Sequence, residues 1–296
     1  MSALSDAIGR GDFVVTAELG PPKNADAEAI RKKARNLKGS VHAANVTDNQ
    51  TAVARMSPMA SSVFMQQEGL EPVMQMVCRD RNRLALQADL LGAWALGVRN
   101  IMILGGDPPK VGNHPDAKPV FDLDTVALMG VAHGLAERFQ NGEEIKGEAP
   151  HFFVGGAESP FGDQSMGDRM KAKVDAGANF VQTQPVFDVP AFAEWVAIVR
   201  DKGLTERCAI IAGITPPKSL KMVENLSKIP GMSIPDSVTK RIEAATDQRE
   251  EGIAIAIEAI HAVREIPGVA GVHVMAILQE DAVPEIVERA GIKPSI

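Results

Sequence analysis

Short apolar runs alternate with longer segments of mixed or polar composition along almost the whole chain. The apolar runs are continuous instead of alternating with polar positions, which is typical of strands that are covered on both faces. Each run is followed by a segment that predicts a helix, so the order strand then helix repeats. The predicted strands lie at residues 13–18, 42–47, 72–78, 100–104, 151–154, 178–183, 208–213 and 271–276.

Eight strand-helix units over about 250 residues are the pattern of a (β/α)8 barrel. A doubly wound open sheet is the competing fold. Its usual nucleotide-binding motifs are missing, because no GxGxxG follows the first strand and no GxxxxGK[ST] occurs in the chain. No linker and no short internal repeat divides the sequence. The prediction is therefore an α/β protein, one (β/α)8 TIM barrel domain over residues 1–296.

Composition and charge narrow the range of functions. The 296 residues are 45% hydrophobic and 23% charged, with a formal net charge of −7 and no tyrosine. An acidic balance without a basic run argues against binding to nucleic acid. Cys78 and Cys208 are isolated in sequence, and the chain contains no CxxC or HExxH motif, so a zinc site is not expected.

The same features indicate a cytoplasmic protein. Two isolated cysteines suit a reducing compartment. The first residues carry an acidic side chain early and no apolar core, so they do not resemble a signal peptide. The most hydrophobic region, residues 84–104, contains Asp89 and Arg99, and it predicts a helix and a strand instead of a membrane span.

Polar residues stand at the carboxyl ends of the predicted strands, which meet on one face of a barrel. Glu18 closes the first strand, and Gly20, Pro21 and Pro22 prevent the strand from continuing. A charged residue at the end of an apolar strand is costly unless it faces an opening. Glu18 is therefore a candidate acid or base, and a strand-end residue in contact with water is the alternative.

The other strand ends complete a polar ring with several carboxylates and little positive charge. Such a ring suits a neutral, hydrogen-bonding heterocycle better than a polyphosphate. Gly105 and Gly106 leave bare backbone for a flat ligand, although ordinary turns also use glycine. Asp107 precedes two prolines, which disfavours a helix-capping role, and the Gln184 amide offers both a donor and an acceptor. The histidines in or beside apolar segments are interpreted as packing or capping residues: His42, His133, His151, His261 and His273.

Five motifs occur in a fixed order along the chain: TAELGPP, NVTDN, ILGGDPP, KVDAGANFVQTQPVFD and AGITPP. Together they resemble the methylenetetrahydrofolate reductase family, over about residues 13 to 290. The fourth motif, residues 173–188, is the most specific. The resemblance implies a flavin-dependent oxidoreductase of the short bacterial type, without a C-terminal regulatory domain. Such an enzyme reduces 5,10-methylenetetrahydrofolate to 5-methyltetrahydrofolate by hydride transfer through flavin N5.

The resemblance also implies roles for individual residues. Glu18 matches the family's proton donor, and burial is expected to raise its pKa. Asp107 matches a carboxylate that stabilises the cationic iminium form of the substrate, and Gln184 matches the residue that binds the pterin. The positions implied for flavin contacts are Thr47, Gln75, Gly106, Asp107 and Lys173.

Some positions depart from the family pattern. Gln75 stands where some members have histidine, Gly105 and Ala172 stand where arginine is frequent, and the region of Gly155 and Gly156 replaces an aromatic residue in the fifth strand-end loop. FAD, FMN and weak flavin binding all stay open as a result. The segment MAILQED departs from an aromatic-containing version, so NADH, NADPH and an electron-donating partner subunit also stay open.

Two alternatives to a flavin-dependent reductase stay open. One is a pterin-binding barrel that transfers a methyl group without a flavin. The other is a non-catalytic barrel subunit of a reductase complex. For the reductase, an oligomer is expected, with no metal, membrane or nucleic-acid partner.

Overall fold

The computed structural model describes residues 2–161, 167–277 and 279–294. Eight parallel strands form a closed barrel in chain order, and the first strand pairs with both the second and the eighth. This arrangement confirms the predicted (β/α)8 barrel. The strands are β1 (Val14–Leu19), β2 (Ala43–Val46), β3 (Pro72–Val77), β4 (Asn100–Leu104), β5 (Phe153–Glu158), β6 (Phe180–Pro185), β7 (Ala209–Ile214) and β8 (Val269–Val274).

The helices surround the barrel. They begin where the sequence supplies caps: Ser57 caps α3 with Pro58 in its first turn, and Asp188 caps α7. The described residues contain α1 (Ala3–Gly9), α2 (Ala27–Leu37), α3 (Pro58–Gln67), α4 (Arg83–Ala95), α5 (Thr125–Gly134), α6 (Asp168–Asp175), α7 (Val189–Asp201), α8 (Leu220–Leu226), α9 (Asp236–Ala244), α10 (Gln248–Arg264) and α11 (Val283–Arg289). None of these helices is long and apolar enough to cross a membrane.

Helix α1 is absent from the predicted elements. It is only seven residues long, and a Ser2–Ser5 capping box begins it. Leu4 and Ala7 are fully buried in a cluster with Phe180 and other strand residues. The helix therefore packs its apolar side against the amino-terminal side of the strands. A short segment with two apolar positions carries no recognisable period, so its partner is visible only in the folded protein.

The predicted boundaries of β5 are wrong. The sequence predicts this strand over residues 151–154, with Gly155 and Gly156 in the loop after it. Both glycines lie inside β5, which runs to Glu158. A Cβ at Gly155 would lie 2.1 Å from Phe180 Cζ, and one at Gly156 would lie 2.4 Å from Met129 Cε. The two glycines therefore make room for neighbouring side chains, and they do not form a turn.

Candidate active site

A cavity of about 240 Å³ lies at the carboxyl ends of the strands. Its lining comes from the ends of most of the strands and from the loops that follow them. A larger depression of about 630 Å³ lies outside the barrel, between α4 and residues 139–143, away from the strand ends. The residues that line the strand-end cavity include five of the predicted site residues: Glu18, Gln75, Gly106, Asp107 and Gln184.

Glu18 lies next to the last residue of β1, with its side chain on the cavity. Burial raises the pKa of Glu18, and the nearby Glu280 adds to this rise. Two neighbours lower the pKa of Glu18. Gln50 Nε2 donates a hydrogen bond to Glu18 Oε1 over 2.9 Å, and Arg55 acts through its positive charge. The predicted direction of the pKa shift is confirmed, but sequence reasoning missed Gln50, which only the folded loop brings to Glu18.

Arg79 connects three of the loops around the cavity. Its buried guanidinium pairs with Asp80 through Nε–Oδ1 and Nη2–Oδ2 contacts of 2.7 and 2.8 Å. It also donates hydrogen bonds to the backbone carbonyls of Asp107 and Asn49, over 2.9 and 3.3 Å. Gly106 has a φ of 87°, and a Cβ there would lie 3.2 Å from Arg79 Cβ. The backbone before Asp107 is thus held against Arg79, and the Asp107 side chain is exposed.

Two side-chain amides that line the cavity, those of Gln184 and Gln75, have hydrogen-bonding groups without a partner among the described residues. Ser159 Oγ has two acceptors within reach for its single proton, Gln184 Oε1 at 3.0 Å and the Phe161 carbonyl at 3.3 Å, and the nearer contact leaves the Gln184 NH2 group for a ligand. The Gln75 side chain is 7% exposed and forms no hydrogen bond with another described residue. Neutral amides of this kind match the amide-like edge of a heterocycle.

Thr47 and Lys173 are not among the residues that line the cavity. The Thr47 hydroxyl is buried, with no hydrogen-bond partner in the described part of the chain. Lys173 Nζ lies 2.7 Å from Glu158 Oε2, and both side chains are largely buried. The charge of Lys173 is therefore already compensated by a carboxylate of the protein itself.

The floor of the cavity is polar, which the sequence pattern does not reveal. Asn45, Gln182 and His273 line it, and all three are at most 2% exposed. Thr16, which is fully buried, forms hydrogen bonds with Gln182 and His273. The apolar sequence around His273 predicts a packing residue, whereas the folded protein places its side chain on the cavity. The sequence feature that indicates such a floor is a polar or ionisable residue within an otherwise apolar strand, and this feature recurs in several strands.

The described residues offer an uncharged binding surface more than a cationic one. Arg79 is paired with Asp80, Lys173 with Glu158, and Arg81 with Asp48 and Asp89. The lining groups without a hydrogen-bond partner among the described residues include the Gln75 amide, the Gln184 NH2 group, one edge of the His273 ring and the Asp107 carboxylate. Among residues 2–161, 167–277 and 279–294, no group of three or more His, Cys, Asp or Glu side chains is arranged to hold a metal ion.

The chain is similar to one family of known proteins over nearly its whole length. The family model described as methylenetetrahydrofolate reductase matches residues 3–291. A probable methylenetetrahydrofolate reductase (NADPH) from Caenorhabditis elegans is 26% identical over 254 residues, which cover 82% of this chain and 36% of the relative. The 5,10-methylenetetrahydrofolate reductase of Pectobacterium carotovorum subsp. carotovorum is 23% identical over 296 residues, which cover 97% of this chain and 93% of the relative. The chain spans about two fifths of the length of the worm and yeast relatives that it matches.

Solved structures with low identity share the fold. A Clostridium thermocellum protein that binds two copies of 5-methyl-5,6,7,8-tetrahydrofolic acid has a TM-score of 0.70 at 14% identity, with 97% of this chain and 98% of that chain covered. An EDTA monooxygenase from Chelativorans sp. BNC1 has a TM-score of 0.60 at 13% identity, with 95% of each chain covered. At these identities the similarity indicates the barrel alone.

Proposed function

Because the chain belongs to the methylenetetrahydrofolate reductase family, we propose that it reduces 5,10-methylenetetrahydrofolate to 5-methyltetrahydrofolate with a bound flavin. The observation that carries the proposal is the position of Glu18. Its carboxyl group, with a pKa raised by burial, lies on the same cavity as Asp107 and Gln184. An acid with a raised pKa keeps its proton to higher pH than an ordinary glutamic acid does, and the opening of the substrate's methylene bridge requires a proton donor.

Each of the three side chains has a distinct proposed task. Glu18 donates its proton to the leaving nitrogen as the carbon–nitrogen bond of the bridge breaks, and the remaining nitrogen forms a cationic iminium with the bridging carbon. The Asp107 carboxylate stabilises that positive charge. The Gln184 NH2 group, oriented by Ser159, binds the pterin ring. A bound flavin, once reduced by the electron donor, would supply the hydride that converts the iminium carbon to the methyl group.

The donor set supports binding of the flavin ring. Gln75 and Gly106 would hold it from β3 and from the loop after β4, with Asp107 beside them on the cavity. A further candidate contact is the Thr47 hydroxyl, which is buried without a partner among the described residues but does not line the cavity. For Lys173 to bind a flavin phosphate, phosphate oxygens would have to replace Glu158 as its partner. We therefore propose that the bound flavin is either FAD or FMN. NADH, NADPH or a partner subunit is proposed as the source of electrons.

The first test is to release the cofactor by heat and identify it by mass. NADH and NADPH are then supplied anaerobically, and flavin bleaching and 5-methyltetrahydrofolate formation are measured separately. We expect a yellow protein that forms 5-methyltetrahydrofolate with one of these reductants or with an artificial donor. A colourless protein that still binds folate would contradict the flavin-dependent reaction and favour methyl transfer instead.

Glu18→Gln tests the role of the acid. In this variant the rate of flavin reduction by the donor should be unchanged. The rate of folate reduction should fall by about a hundredfold or more, which is within the usual scale of general acid catalysis. Glu243→Gln, at an exposed position of α9, is the matched control and should leave both reactions unchanged. Equal loss of both half-reactions in Glu18→Gln would contradict the assignment.

A further inference from the structure

His273 is a buried ionisable side chain that the proposed reaction does not use. It lies in β8, is 2% exposed and lines the cavity floor. Burial lowers the pKa of His273 to about 3, so its ring is neutral at physiological pH. Nδ1 lies 2.9 Å from Thr16 Oγ1. Nε2 has no hydrogen-bond partner among the residues that the structure describes.

The position of the proton on the His273 ring follows from the side chains below it. Asn45 Nδ2 donates to Gln182 Oε1 over 2.6 Å, and Gln182 Nε2 donates to Asn45 Oδ1 over 3.1 Å. Met102 Sδ lies 3.4 Å from Asn45 Nδ2. A thioether sulfur accepts hydrogen bonds and cannot donate them, so the NH2 side of Asn45 faces it and the orientation of both amides is determined. Gln182 Nε2 then donates its second hydrogen to Thr16 Oγ1, over 3.3 Å.

The Thr16 hydroxyl group determines which ring nitrogen of His273 carries the proton. Its hydroxyl oxygen accepts from Gln182, and the acceptor available for its own proton among the described side chains is His273 Nδ1. A neutral imidazole that accepts at Nδ1 carries its proton on Nε2. Because Nδ1 is held by Thr16, which does not line the cavity, the Nε2–H edge is the part of the ring left for the cavity.

We propose that His273 is a ligand-binding residue whose Nε2–H donates a hydrogen bond to the pyrimidinone ring of the heterocycle bound in this cavity. The acceptor is a carbonyl oxygen or a ring nitrogen. This N–H faces the cavity without an acceptor from the described residues, so a ligand that places an acceptor at the cavity floor gains a hydrogen bond there. Thr16, Asn45 and Gln182 are positioning residues that act through His273. The inference rests on the proposed function, since flavins and pterins both carry such a ring.

The tautomer is tested by nitrogen NMR of protein labelled with ¹⁵N in its histidine rings, with His273→Gln used to assign the signals. We expect an Nε2–H ring that stays neutral from pH 8 to pH 5. Thr16→Val removes the donor to Nδ1 and should shift the ring towards the other tautomer, whereas Thr16→Ser keeps the hydroxyl and should not. A ring protonated on Nδ1, or one that titrates near the ordinary histidine pKa of about 6.5, would overturn the proposal.

Binding measurements identify the ligand. Dissociation constants for FMN, FAD and 5-methyltetrahydrofolate are measured by calorimetry on the cofactor-free wild type and on His273→Leu and His273→Gln. We expect His273→Leu to weaken either flavin or folate binding by about tenfold, the scale of one hydrogen bond, and His273→Gln, which keeps an N–H donor, to recover most of it. The ligand class that loses affinity is the one that His273 contacts.

His42 provides the matched control. It is also buried, but it precedes β2 at the opposite end of the strand from the cavity, and its Nδ1 accepts from the Val15 backbone N–H. His42→Gln should leave all three dissociation constants unchanged. Unchanged constants in His273→Leu would overturn the role of His273 while leaving the proposed function intact. A wild type that binds neither flavin nor folate would contradict the proposed function itself and, with it, the contact.

Discussion

The Gln50 side-chain amide donates a hydrogen bond to the Glu18 carboxylate, with 2.9 Å between Nε2 and Oε1. Gln50 begins a short 3₁₀ helix, Gln50–Ala52, in the loop after β2. Asn49, Thr51 and Ala52 in this loop have φ values of 45°, 55° and 55°. Positive φ is uncommon for residues other than glycine and costs free energy. The contact with Glu18 is therefore made by a loop that the surrounding structure holds in a strained conformation.

Replacing Gln50 should change the pH dependence of folate reduction. Gln50→Leu removes the hydrogen bond that lowers the pKa of Glu18, so this pKa should rise further. Turnover that needs protonated Glu18 falls as the pH rises through its pKa. We therefore expect the alkaline limb of the kcat profile to move to higher pH by up to about one unit. A limb that stays in place or moves to lower pH would contradict the contact.

Glu18 should reduce stability at neutral pH. Its pKa is raised in the folded state, so ionisation favours the unfolded chain, and stability falls as the pH rises above the ordinary value of 4.5 towards the raised pKa. Glu18→Gln should therefore be more stable than the wild type in urea unfolding at pH 7, with the difference lost at pH 4. The exposed control Glu243→Gln should change the free energy of unfolding by less than about 0.5 kcal/mol. A Glu18→Gln variant less stable at pH 7 would refute this reasoning.

Asp107 should matter for the rate of folate reduction. Asp107→Asn keeps the size of the side chain and removes the negative charge proposed to stabilise the iminium. We expect kcat for folate reduction to fall by about tenfold to a thousandfold. Asp116→Asn, at an exposed position of the following segment, serves as the control and should not alter kcat. An unchanged rate in Asp107→Asn would remove the proposed role.

Gln184 should contribute to folate binding instead of the reaction with the electron donor. Gln184→Ala removes the amide and should raise KM for the folate by up to about tenfold, while donor oxidation is spared. Ser159→Ala removes the hydroxyl that orients this amide and should have a smaller effect in the same direction. Gln140→Ala, at an exposed position, is the control. If Gln184→Ala slowed only donor oxidation, pterin binding would be the wrong assignment.

The glycine at position 155 should be required for stability. An alanine Cβ there would lie 2.1 Å from Phe180 Cζ, and Phe180 is itself stacked on Phe153 with ring centroids 5.1 Å apart. Gly155→Ala should cost about 1–3 kcal/mol in urea unfolding because the ring must move. At Gly130, an exposed position of α5, a Cβ meets nothing within 4 Å. Gly130→Ala should therefore stabilise the protein by about 0.5–1 kcal/mol, and equal effects of the two changes would contradict the packing argument.

The sequence predicts the barrel well because its signal is local. Continuous apolar runs indicate strands covered on both faces, and their regular alternation with helices indicates parallel strands. The predicted boundaries of β5 are wrong because a pair of glycines in sequence usually indicates a turn. In the folded protein, Gly155 and Gly156 instead leave room for the side chains of Phe180 and Met129. That reason lies in contacts with other elements, which no local pattern reports.

For the candidate site, too, the sequence determines some features and the tertiary structure determines the others. The sequence alone determined which side chains stand at the strand ends, and the barrel topology then brings Glu18, Asp107 and Gln184 to one cavity. Only the tertiary structure decided which partners they and their neighbours have. Lys173 pairs with Glu158 instead of facing the cavity, and Thr16 meets His273 across 257 positions of sequence. Such pairings depend on strand register and side-chain direction, and separation along the chain carries no information about either.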